Sequence, residues 1–184
     1  MKKLTLLGVA ALFSWGIQVK SNSIFVGAEG AIFHSHNWES IGNSHWTGGG
    51  LKVGYYFYIP NAYSIFNRFY VGAARGGNHT SYDGVESWAT LTDYYVGLDW
   101  VVPVTNLINP YFGVGYHWFN LDITEAETVQ WSGPALNLGI LFFWGPHFEW
   151  EVGGSYIYSN EVNKGRFPKS APSWKFETSL NYSF

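Results

Sequence analysis

The sequence predicts an all-β protein, an eight-stranded antiparallel up-and-down transmembrane β-barrel. Three observations carry that expectation. The first is the stretch Pro172 to Phe184, where one parity carries Trp174, Phe176, Thr178, Leu180, Tyr182 and Phe184. The other parity carries Lys175, Glu177, Ser179, Asn181 and Ser183. A two-residue period is a strand with a different solvent on each face; an apolar face with aromatics at both ends points to lipid outside and a polar lumen within. The second is composition: 20% aromatic, 12% charged, 22 Gly and 10 Trp, yet a mean hydropathy of only −0.05. Apolar residues are interleaved with polar ones instead of forming the long runs a spanning helix needs. The third is that eight such alternating segments follow Asn22, each set off by turn or loop residues.

The first 21 residues read differently. Lys2 and Lys3 precede an apolar run from Leu4 to Ile17, and Val19-Lys20-Ser21 places a small residue before Asn22. That is the shape of a secretory signal, so residues 1–21 are expected to be removed and residues 22–184 to form the barrel domain. Removal leaves seven Lys and Arg against 13 Asp and Glu, a net charge of about −6. So acidic a chain has no nucleic-acid footprint. Cysteine is absent, which excludes disulfides, thiolate metal sites and a Cys nucleophile.

In order, strand one (Ser23 to Phe33) turns Ile24, Val26, Ala28, Gly30 and Ile32 to one face and Phe25, Gly27, Glu29, Ala31 and Phe33 to the other. Strand two (Trp46 to Tyr58) sends Leu51, Val53, Tyr55 and Phe57 outward and Lys52, Gly54 and Tyr56 inward, so a Glu29–Lys52 ion pair is expected. In strand three (Arg68 to Gly77) alternation puts Arg75 on the lipid parity with Val71 and Ala73. Either Arg75 snorkels at the outer rim or Gly76-Gly77 marks a bulge. Strand four (Trp88 to Val102) sends Asp93, Tyr95, Gly97 and Asp99 inward; strand five (Pro110 to Asn120) sends in His117 among glycines. Strand six (Gly133 to Trp144) is followed by the tightest turn, Gly145-Pro146, and strand seven (Phe148 to Tyr158) turns Glu149 and Glu151 inward. The Pro172–Phe184 strand closes the set.

Connections after strands one, three, five and seven, centred on Asn37, Ser81, Glu125 and Lys164, read as long polar loops, and the others as short Pro-marked turns. That asymmetry places the long loops outside the cell. The tryptophans form two belts: Trp46, Trp88, Trp118, Trp131 and Trp174 outer, Trp100, Trp144 and Trp150 inner. A soluble lipid-binding barrel would put charges outside, whereas here they share the glycine-rich parity.

The segments Phe25-Val26-Gly27-Ala28-Glu29-Gly30-Ala31, Pro110-Tyr111-Phe112-Gly113-Val114-Gly115-Tyr116 and Leu180-Asn181-Tyr182-Ser183-Phe184 resemble the OmpA/OmpX-like family of small outer-membrane barrels. The resemblance spans the chain after residue 21 and is to the barrel-only, porin-like members of Gram-negative envelopes. It implies an assembly signal at Leu180, Tyr182 and Phe184, read by the barrel-assembly machinery.

Several groups are candidates for chemistry. Glu29, Asp93, Asp99, Glu149, Glu151 and Glu177 share the inward parity with Lys52, Lys175 and His117, and are read as a lumen ionic network, because a barrel this size is filled by its own side chains. His34, His36, His45 and His79 could meet a metal, but nothing fixes a third ligand; they are read as polar loop residues, with no metal or cofactor. Tyr158-Ser159-Asn160 resembles part of the His-x-Ser-Asn motif of lipid A 3-O-deacylases. In that family a His two residues before the Ser is the base and a later Glu, here Glu177 by position, orients it; this chain has Ile157 in the base position. A hydroxyl without a base is a poor nucleophile. Lys164, Arg166 and Lys169 form the densest basic cluster, read either as a contact for lipopolysaccharide phosphates or as ordinary solvated loop charge.

The functional expectation is a monomeric outer-membrane protein with a structural or surface-interaction role, contacting outer-membrane lipid and lipopolysaccharide, and host or surface ligands through its loops. It is not expected to be an enzyme. The alternatives are a narrow cation-preferring pore and a lipid A-modifying hydrolase using Ser159.

Overall fold

The computed structural model describes residues 22–38, 42–59, 65–82, 85–123, 128–161 and 170–184. They form eight antiparallel strands: β1 (Ser23–Trp38), β2 (Gly42–Tyr58), β3 (Phe66–Tyr82), β4 (Val85–Val101), β5 (Ile108–Ile123), β6 (Val129–Trp144), β7 (Phe148–Glu161) and β8 (Ser170–Ser183). Each pairs with its sequence neighbours and β8 pairs with β1, so the sheet closes and leaves no edge.

Register fixes the shape. From Ser183 the paired positions run through Phe25, Gly54, Tyr70, Gly97, Gly115, Ala135 and Ile157 and return to β8 at Ser173. The circuit comes back ten residues from its start, Ser183 to Ser173, along the strand it left. A stagger of that size tilts the strands by roughly 35–45° and leaves an interior that side chains fill.

The faces alternate as the two-residue period requires. Leu51, Leu136, Leu138 and Leu180 are outward and 62–70% exposed. Each such residue would forfeit roughly 1.5–3 kcal/mol in water, so this wall is a lipid-facing surface. Two aromatic girdles flank it. Trp144, Trp150, Phe148 and Phe184 ring one end, and Tyr94, Trp118 and Trp174 the other, all exposed.

Trp46 and Trp131 do not belong to the outer girdle. They are 0% and 2% exposed and point into the lumen, because each lies on the inward parity of its strand, with Lys52 and Ala135 respectively. Arg75 is outward, and β3 keeps unbroken register with β2 from Gly77 to Phe66 and with β4 to Tyr82, so no bulge intervenes. The alternative of a bulge is thus absent, and Arg75 stays on the outward face.

At the inner end, the strands stop within two residues of where the alternation stops. At the outer end they continue: β1 to Trp38, β3 to Tyr82 and β5 to Ile123. Asn37 and Ser81, expected in loops, lie in strands, as do His34, His45 and His79. Pairing persists there while the outward side chains turn polar (Thr90, Asn120, Asp122), which erases the alternation but not the hydrogen bonds. The barrel therefore rises past its outer girdle as paired hairpins. The inner turns are compact. Gly145 takes φ +80° in the three-residue connection to β7, a conformation that favours glycine. In the connection before β5, Thr105 Oγ1 accepts the backbone N–H of Ile108 at 2.7 Å.

Candidate functional site: the lumen and the outer rim

All nine residues expected in the lumen network are inward, and Arg68 joins them as a third cation that the reading of β3 overlooked. Its place was legible, since Phe69, Val71 and Ala73 outward leave Arg68, Tyr70 and Gly72 inward.

Glu151 is the hub. Arg68 grips it with both terminal nitrogens, one at 2.9 Å, and Lys52 Nζ donates to it at 2.5 Å. Tyr111 and Ser179 hydroxyls and the Asn181 amide donate to the same carboxylate at 2.8, 3.0 and 3.3 Å. Arg68 Nε donates to Asp99 at 2.8 Å, and its guanidinium lies 4.5 Å from the centre of the Tyr111 ring. A bidentate Arg–carboxylate pair with the remaining acceptors occupied is the geometry that compensates desolvation of both charges.

A second knot lies toward the outer end. Lys175 Nζ reaches Glu177 at 3.0 Å, Glu29 at 3.1 Å and Asp93 at 3.5 Å, and sits 3.7 Å from the Tyr95 ring centre. Tyr95 donates to Glu29 at 2.5 Å. His117 Nδ1 meets Asp93 at 2.8 Å, with its ring stacked between Tyr95 and Phe119. Glu177 links the knots through Lys52 at 3.3 Å. The expected Glu29–Lys52 pair is present only at 4.0 Å; Lys52 is drawn instead to Glu151 across the barrel. Glu149 is held by neutral donors, Tyr56 at 2.7 Å and Asn181 at 2.8 Å.

Apolar plugs close the network at both ends. Phe25, Phe66, Val101, Leu141 and Phe143 fill the inner end, and Phe33, Trp46, Leu91, Phe119, Leu121 and Trp131 the outer. Glycines make the packing fit: Tyr70 lies over its register partner Gly97, and Tyr95 over Gly72, where an added Cβ would collide with the ring. Of these two tyrosines only Tyr95 was expected inward; their bonds to carboxylates have no sequence signal.

Ser159 is inward on β7 and 2% exposed. It borders a cavity of about 10 Å³ with His34, Ser173, Trp46 and Trp131, room for one water and no acyl chain. Ile157, in the position of the missing base, is wholly buried in the outer plug, and Glu177 is engaged by Lys52 and Lys175. Among the described residues no three side chains are placed to hold a metal ion. His34 and His45 stack with Nδ1 atoms 3.1 Å apart on the outer wall, while His79 packs on Trp88. Leu180 and Tyr182 line the outward face of β8, and Phe184, just past its end, is 71% exposed. Residues 1–21 and the basic cluster Lys164, Arg166 and Lys169 lie outside the described residues.

Solved structures share this architecture. Neisserial surface protein A (NspA) superposes with a TM-score of 0.69 at 17% identity, over 88% of this chain and 97% of that one. OprG of Pseudomonas aeruginosa gives 0.63 at 14%, over 91% and 99%. The fold is that of the small outer-membrane barrels. Ail, the attachment invasion locus protein of Yersinia pestis, solved with the heparin analogue sucrose octasulfate, gives 0.55 at 15%, over 89% and 99%. No protein-family model and no curated protein matches the sequence. What this outer-membrane barrel shares with these neighbours, at such identities, is the fold.

Proposed function

We propose that this chain is a closed outer-membrane barrel that works at the cell surface rather than through its lumen. The observation that carries this reading is the filled interior: a buried ionic network capped by apolar plugs, beneath hairpins that rise past the outer girdle. Among the described residues a lumen so packed offers no path for a solute, and the cavity that Ser159 borders has no room for a lipid chain.

Residues 1–21 act as the export signal and 22–184 as the barrel, with Leu180, Tyr182 and Phe184 presented for assembly into the outer membrane. The barrel is a monomer and catalyses nothing. The hairpin tips and the cluster Lys164, Arg166 and Lys169 meet anionic partners, lipopolysaccharide foremost. Ail, of the same fold, was solved with a sulfated heparin analogue, which supports a polyanion as the class of surface ligand. Trypsin applied to intact cells should cut at Lys164, Arg166 or Lys169; full protection there, with cleavage only after the envelope is opened, would contradict the orientation.

A further inference from the structure

Among the described residues, Arg75 is the only Lys or Arg on the outward wall. It stands level with the aromatic girdle. On its inner side lie exposed apolar side chains, Leu51 at 70% and Tyr94 at 49%; on its outer side lie Thr47, Gly77 and Thr90. Its register partners are Gly49 and Thr92, so no acid faces it from either neighbouring strand. An Arg in hydrocarbon costs about 2.5–3.5 kcal/mol by insertion scales, so one held at this boundary needs an anion or water at its head.

The wall beside it is shaped to admit something. Gly49 pairs with Gly30, which leaves a bare strip across β2 and β1. One outward position beyond Gly30, at Ile32, begins a shallow groove of about 340 Å³ lined also by His34, His45, Trp174 and Phe176. The groove is apolar below and topped by the two imidazoles, the polarity order of a lipid with its headgroup up.

We propose that this face binds a phosphorylated glycolipid of the outer leaflet. Arg75 holds a headgroup phosphate with its planar fork of N–H donors. An acyl chain crosses Gly49 and Gly30 into the groove, and the His34–His45 pair borders the sugar. The proposal deepens the reading that lipopolysaccharide is a partner, and moves the contact from the loop cations to the wall of the barrel. Its test is distinguishable from the test of orientation, because it is made on the purified barrel.

The test is native mass spectrometry of the folded barrel in detergent with lipid A, with dephosphorylated lipid A of the same acyl chains, and with inorganic phosphate as competitor. The wild type should retain phosphorylated lipid A at least tenfold better than the dephosphorylated form. Arg75→Gln should remove most of that preference, Arg75→Glu all of it, and Arg75→Lys should keep part. Arg75 is exposed on the outer wall, so these variants should keep the heat-shifted gel mobility of a folded barrel. Equal retention by Arg75→Gln and wild type, or of both lipids by the wild type, would overturn the proposal. Displacement of lipid A by millimolar phosphate would also overturn it, marking a site for the free ion.

Discussion

The lumen solves one packing problem in two ways. Its middle is built from charges, with Glu151, Arg68 and Lys52 fully buried and mutually satisfied. Its outer end, at and beyond the girdle, is built from Trp46, Trp131, Phe119 and Leu121. Both use the same inward parity. The difference teaches where each device belongs. In the membrane the outward face is committed to lipid, and the small interior is tied across by charges whose partners lie on several strands. Past the membrane the outward face is polar, and the hairpins are held together as in a water-soluble core.

Breaking the hub should give the largest effect. Glu151→Ala takes the shared carboxylate from two buried cations, leaving Arg68 to Asp99 and Lys52 to Glu177, and should cost about 3–5 kcal/mol of stability, the range for removing one partner of a buried pair. Urea unfolding from lipid vesicles, followed by tryptophan fluorescence, would report it; a loss below about 1 kcal/mol would mean the charges are satisfied some other way. Trp131→Ala should come next, about 3 kcal/mol, at the low end for a large aromatic because neighbouring hairpins can partly close the void. Its signature should be local. Amide exchange should rise in the outer parts of β5 and β6 while the membrane section stays protected, whereas Glu151→Ala should loosen the whole barrel.

Smaller changes sharpen the contrast. Gly97→Ala puts a methyl group into the Tyr70 ring and should cost about 1–3 kcal/mol as overpacking. Pairing it with Tyr70→Leu should recover part of the loss, since the collision is with that ring. Glu149→Gln should be mildest, about 1 kcal/mol, because Tyr56 and Asn181, which donate to it, are neutral and can donate to an amide oxygen as well.

Much of this was readable from alternation alone. Parity placed Glu29, Lys52, Asp93 and Lys175 inside and Leu180 and Phe184 outside, and turn residues located the inner strand ends closely. Alternation failed where the outward solvent changed from lipid to water: around Thr90 of β4 and Asn120 and Asp122 of β5 the outward side chains are polar, so such stretches read as loops. Parity applied without exception would also have put Trp46 and Trp131 inside and found Arg68. Partner choice was beyond it. Lys52 prefers Glu151, 99 positions away and across the lumen, to adjacent Glu29, and that follows from the stagger of the closed barrel, which no single strand encodes.

The central claim is that the lumen is shut. Purified barrel reconstituted in a planar bilayer should show no sustained single-channel openings at physiological salt, for cations or anions. Stable cation-selective openings that disappear on Arg68 or Glu151 substitution would contradict the account, and would place the protein's work inside the barrel instead of on its surface.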